Sequence, residues 1–222
     1  MAQHKTGKSF NQVQGVRANR YSGSKLTNWM DFNPAGSSLY KIYSDHYNEF
    51  INNKNKISYF KQKTHPDFIM PLKISGIKKY LQNVPEKYYK DIKAIFLLSG
   101  SNKQEKVFFS KLFCYGTYMA NCIFIHPYPK NNMNLIFKKP PKPNILNDYR
   151  RVGALIEKDD TKGTILKWTK ESLKDFYYRD VLMHEIGHHY DKYVWVKSNK
   201  KAEGFAEWFA TEYGFKFKHL KD

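Results

Sequence analysis

The spacing of apolar residues changes several times along this chain of 222 residues. Residues 1–36 have no hydrophobic period and are rich in Gly, Ser, Asn and Gln, which predicts a flexible tail, with Trp29, Met30 and Phe32 able to pack. Leu39, Ile42, Tyr43, Tyr47, Phe50 and Ile51 recur at helical spacing, and Ser37 or Ser38 is placed to cap that helix. A second helix fits residues 72–81, with Ile77, Tyr80 and Leu81 on one face, and Pro85 to Lys90 allows one more turn. The period then shortens. Ile92–Leu98, Ala120–His126 and Met133–Phe137 read as short strands, the first two apolar throughout as buried strands are. Residues 139–143 (KPPKP) predict an extended spacer. Residues 154–156 and 164–168 flank Asp159-Asp160-Thr161-Lys162-Gly163 as a hairpin.

The last third turns helical again. Thr169 is a candidate N-cap, with Glu171 in the first turn, where the helix dipole favours an acid. From Ser172 to Lys197 no proline intervenes, and the apolar residues Leu173, Phe176, Tyr177, Val181, Leu182 and Met183 are too broadly spread for one stripe. A helix running through the interior is expected. Another spans about Ala202 to Tyr213, with Gly214 as its C-terminal stop. The result is an α+β chain in three parts: a basic tail over 1–36, a helical region over 37–90, and a domain over 91–222.

Composition narrows the class. Two cysteines, Cys114 and Cys122, exclude a disulfide framework and a four-cysteine zinc site. No apolar run is long enough to span a bilayer, and the first residues lack the apolar core of a signal peptide, so a soluble cytoplasmic protein is expected. The formal net charge is +18. Five bases and one acid in the tail account for a small part of it, so the excess is read as spread over the remainder. Such a surface is a solvated one or a site for nucleic acid or another polyanion.

One segment carries chemistry. In Asp180-Val-Leu-Met-His184-Glu185-Ile-Gly-His188-His189 the first and second histidines, His184 and His188, are four apart, on one helical face, where two imidazoles can share one zinc ion. Glu185 follows the first of them and can reach a water at the metal, the place for a general base. A third protein ligand is still needed. Glu203 and Glu207, also four apart, stand in an apolar stretch, Gly204-Phe205-Ala206 and Trp208-Phe209-Ala210. A return of about eight residues spans roughly 25 Å, enough for a helical hairpin turning at Lys197–Lys200 to bring Glu203 back to the metal. Glu207, one turn on, can accept a hydrogen bond from the free nitrogen of a histidine ligand.

His184-Glu185-x-x-His188 with a downstream Glu203 resembles the zincin metallopeptidases, in particular the gluzincin branch. Glu203-Gly-Phe-Ala-Glu207-Trp-Phe-Ala is similar to the third-ligand helix of the anthrax-lethal-factor group, and the repressor-cleaving metallopeptidases of mobile elements share a similar helix. The resemblance spans residues 181–210. It implies a zincin-like domain, a small mixed sheet packed on the HExxH helix. It also implies a Zn2+ cofactor on His184, His188 and Glu203, with Glu207 supporting a ligand. The expected function is hydrolysis of peptide bonds in a protein or peptide substrate, with Glu185 as base. The rival readings are a nucleic-acid-associated basic protein with a structural or vestigial zinc site, and a protease recruited to nucleic acid. His126, His189 and Asp191 are read as structural. Tyr193 and Tyr213 are the tyrosines nearest the ligands in sequence. Thr164–Trp168 or Ala120–His126 could serve as an edge strand for substrate, though each reads first as core sheet.

Overall fold

The computed structural model describes residues 36–53, 56–100, 115–141, 143–194 and 199–216. All of the tail except Gly36 lies outside the described residues, as does Cys114. The fold is mixed α+β, with a four-stranded sheet at its centre.

Helices α1 (Gly36–Asp45) and α2 (Tyr47–Ile51) take up the first helical pattern, with a break at His46. Because α1 already begins at Gly36, Ser37 and Ser38 lie inside its first turn and do not precede it as caps. Then come β1 (Ser58–Lys61), β2 (Phe68–Ile69), α3 (Ile74–Leu81) and a 3-10 turn over Glu86–Tyr88. The main sheet has the order β1, β3 (Ala94–Leu97), β5 (Cys122–Ile125), β4 (Gly116–Met119). The first three run parallel, and β4 runs antiparallel against β5. β1 has no strong apolar run, and sequence pattern alone did not mark it as a strand.

The continuous apolar runs of β3 and β5 follow from burial on both faces. Ile95, Leu97, Ile123 and Ile125 join the larger core with Val181, Met183 and Ile186. Ala94, Phe96, Leu98, Cys122 and Phe124 point the other way, against Leu39 and Phe50. Phe60, Phe96 and Phe124 are register partners across three strands, and their rings stack at 4.8 and 4.7 Å between centroids. Cross-strand aromatic pairs of this kind pin register. Burial pushes the Cys122 thiol up to about 12, against a smaller opposing effect of a backbone hydrogen bond at Ala94, so it is an inert core residue.

β6 (Tyr128–Pro129) pairs with β2. A second sheet has the order β7 (Asn134–Phe137), β9 (Gly163–Lys167), β8 (Leu155–Asp159), all antiparallel. The Asp159 carboxylate accepts hydrogen bonds from the backbone N–H groups of Thr161 and Lys162 and from the Thr161 hydroxyl, closing the expected hairpin. The expected extended spacer is short: Pro143 is the first residue of helix α4 (Pro143–Arg151), a position where the missing N–H costs nothing.

The third helical region is nearly continuous. α5 (Lys170–Phe176) opens with a capping box, in which Thr169 Oγ1 accepts from Ser172 N and Ser172 Oγ accepts from Thr169 N. A π-helical turn over Tyr177–Leu182 follows, then α6 (Met183–Val194). α7 covers Asn199–Tyr213, so Asn199 and Lys200 are helical and the expected connecting turn is shorter at that end. Gly214 is not in the left-handed conformation expected of a helix stop. A side chain there would meet the carbonyl oxygens of Arg179 and Ala210, so lack of space dictates the glycine.

Candidate metal centre

His184 and His188 lie one turn apart on α6, their ring centroids 4.7 Å apart and nearly perpendicular. α7 packs closely against this helix because both are small at the crossing. A Cβ on Gly187 would lie 2.9 Å from Ala206 Cα and 3.1 Å from Phe209 Cβ. This approach carries Glu203 between the two imidazoles. Its Oε2 lies 3.4 Å from His184 Nε2, and its Oε1 lies 3.1 Å from His188 Nε2.

These separations fit a shared dication. Bonds of about 2.0–2.1 Å in a tetrahedron place ligand atoms roughly 3.3 Å apart. One ligand atom from each of the three residues falls within 4.8 Å of the others. Two imidazoles and a carboxylate suit zinc among the common dications. Burial opposes the Glu203 charge, but hydrogen bonds with His184 and His188 outweigh it and hold the carboxyl down at about 2. Of the three side chains His188 is the most open, at 14% exposure against 3% for His184 and 7% for Glu203.

Glu185 is buried against Gly116, the first residue of β4. A Cβ on Gly116 would come within 2.6 Å of Glu185 Oε1 and 2.8 Å of its Cγ. Only a glycine leaves this carboxylate its place. The next helical turn is tied to the same strand, since His189 Nδ1 lies 3.1 Å from the Tyr118 hydroxyl. His189 Nε2 donates to the Lys90 carbonyl oxygen at 2.6 Å. His189 therefore has the structural role expected of it, and the buried His126 likewise sits where β5 ends, its backbone N–H bonded to the Tyr115 carbonyl.

Residues 164–168 and 120–126 are core sheet, as they first read, and not edges. β9 is the central strand of its sheet, and β5 lies between β3 and β4. The strand beside α6 is β4, which joins β5 through Ala120 and Asn121, both at positive φ (49° and 62°). That is the backbone of a two-residue hairpin turn with a primed geometry. The Asn121 signal was present in the sequence, but Ala120 is an uncommon choice for such a turn, and Gly116-Thr-Tyr-Met119 lacks an apolar run. Glu207 stands half-buried one turn beyond Glu203. Tyr213 packs on Phe209 and Tyr88, while the Tyr193 side chain lies outside the described part. No helix among the described residues is long and apolar enough to cross a membrane. Comparisons with protein-family models, with curated proteins and with solved structures find no match for this chain.

Proposed function

We propose that this protein is a zinc-dependent metallopeptidase of the gluzincin type. The observation that carries the reading is Glu203 lying between His184 and His188 at ligand-to-ligand distances, with Glu185 on the same helix as the histidines. His184, His188 and Glu203 would hold the ion, two neutral nitrogens and one carboxylate, leaving net positive charge at the centre. Bound there, zinc supplies a lowered pKa for water, from about 15.7 to about 7, and polarises a carbonyl.

The remaining chemistry belongs to the chain. Glu185 accepts a proton as water adds to the peptide carbonyl and returns it to the departing amine. Its burial against Gly116 fixes it in one position. Among the described residues β4 pairs with β5 alone, so an extended peptide adding to its other edge would run past Glu185. The mixed sheet with an antiparallel edge strand beside the HExxH helix supports a zincin-like architecture. Glu207 is assigned a hydrogen bond to the second nitrogen of a histidine ligand.

Elemental analysis of the purified protein combined with a peptide-library cleavage screen tests this. About one zinc per chain and cleavage abolished by Glu185→Gln, with zinc retained, are the expected results. The amide is nearly isosteric but cannot take the proton, so a loss of about 10²- to 10⁴-fold is expected. No stoichiometric metal after zinc is supplied would end the reading, and full cleavage by Glu185→Gln would end the mechanism.

A further inference from the structure

Among the described residues the positive charge is unevenly placed. Residues 36–53 hold one lysine against two acids, residues 56–100 nine lysines against three acids, and residues 115–141 three lysines and no acid. Residues 143–194 hold nine bases and nine acids, and residues 199–216 hold three of each. The described segments that contain the two helices of the proposed metal site are electrically balanced. The described excess sits on segments 56–100 and 115–141, which build the main sheet and α3.

The sheet order gives that excess a direction. Among the described residues β1 and β4 are the two edges of the main sheet. Glu185 packs at β4, and lysines gather at β1. Lys56 precedes β1, Lys61 ends it and Lys63 follows, all three exposed. α3 lies alongside and has no acid of its own. Its Lys78 reaches over the strand, with Nζ 5.0 Å from the Tyr59 ring centroid. Tyr59 is half-buried with Tyr89 as its neighbour; burial, and after it the Tyr89 phenol, push the Tyr59 hydroxyl up to about 12. It stays a neutral hydrogen-bond donor at any physiological pH. Three strand spacings of about 4.8 Å put this edge roughly 14 Å across the sheet from the β4 edge.

We propose that the β1–α3 edge is a binding surface for single-stranded nucleic acid, its lysines meeting phosphates and its half-exposed tyrosines lying among the bases. Lysines interleaved with aromatic rings along an extended strand suit a flexible backbone whose bases are unstacked. Lysine on an edge strand also discourages pairing with other sheets, but that function calls for neither the acid-free helix beside it nor the tyrosines. The inference is independent of peptidase activity. It concerns the opposite edge of the sheet and is read out by binding.

The test is fluorescence anisotropy of the full-length protein with a labelled single-stranded 20-mer, over a range of salt concentrations. The triple variant Lys61→Gln, Lys63→Gln, Lys78→Gln is compared with a control triple on the balanced segments, Lys158→Gln, Lys162→Gln, Lys170→Gln. All six lysines are exposed, and circular dichroism with zinc content checks that both variants keep the fold. The edge triple is expected to weaken binding more than ten-fold. It should also flatten the slope of log affinity against log salt by about 2, at about 0.7 per phosphate contact. The control triple should bind within two-fold of the parent. Equal weakening by both triples would show diffuse attraction and overturn the surface. No binding at low salt would overturn it outright. Tighter binding of a duplex of the same length, or equal competition by poly-glutamate, would overturn the assignment to single-stranded nucleic acid.

Discussion

Gly187 of α6 faces Ala206 of α7 so closely that a Cβ on the glycine would lie 2.9 Å from the alanine Cα. The proposed third ligand depends on this contact, because Glu203 is carried by the helix that it brings near. A valine at position 187 would force the helices apart and withdraw Glu203 from the histidines. Gly187→Val is expected to lower zinc affinity more than ten-fold and to cost about 1–3 kcal/mol of stability through overpacking. Gly204, on the same helix, has open space around its Cβ position. Gly204→Ala should leave zinc affinity unchanged and add about 0.5–1 kcal/mol. Competition with a chromogenic chelator and thermal melts distinguish the two glycines.

Glu203 and Glu207 should separate cleanly. Glu203→Ala removes the carboxylate that meets both imidazoles, and stoichiometric zinc should be lost on dialysis. Glu207→Ala should keep the metal and weaken its affinity on the order of 10- to 100-fold. If Glu207→Ala strips the metal and Glu203→Ala retains it, the two roles are exchanged.

Gly116→Ala tests the seat of the base. The added methyl would occupy the space of the Glu185 side chain, with contacts at 2.6 and 2.8 Å. Peptide cleavage is expected to fall at least ten-fold while zinc stays bound, because the atoms nearest the new methyl all belong to Glu185. Unchanged cleavage would show that the position of Glu185 against β4 is irrelevant to turnover.

Acid should act on the site in two windows. Protons compete with metal for the imidazoles, so zinc affinity should fall as pH is lowered. In chelator-treated protein Glu203 sets the second window. Its folded value of about 2 lies below the ordinary 4.5, so its ionised form contributes stability that is present above pH 4.5 and is lost as pH falls through 2. Urea midpoints of the metal-free parent and of Glu203→Gln should differ at pH 5 and converge towards pH 2. A constant difference down to pH 2 would contradict the depressed value.

The parts of this protein that can be read from sequence are those fixed by local spacing. His184 and His188 needed only a helix to share a face, and Glu203 needed only a chain long enough to return. The capping box at Thr169, the buried strands at 94–97 and 122–125, and the hairpin at 155–167 are likewise local. What escaped depends on distant partners. β1 and β4 are strands because β3 and β5 lie beside them, and their own residues are mixed in burial and in character. The role of Gly116 is visible only once Glu185, far along the chain, is set against it. Gly214 was placed correctly as a helix end, but the Arg179 carbonyl that excludes a side chain there lies on another helix.

The π-helical turn over Tyr177–Leu182 sets where the site helix tolerates a change of length. Upstream of it, Leu173 and Phe176 are anchored in the core, and downstream His184 and His188 must face Glu203. The wide turn takes up one residue more than an α-helical path between those two demands. A one-residue deletion within 177–182 would therefore close the wide turn to an α-helical one and keep both ends in phase. A one-residue insertion finds no such slack and would act as a rotation by about 100° at one end. Either the aromatic anchor or the pair of histidines would then turn away from its partner.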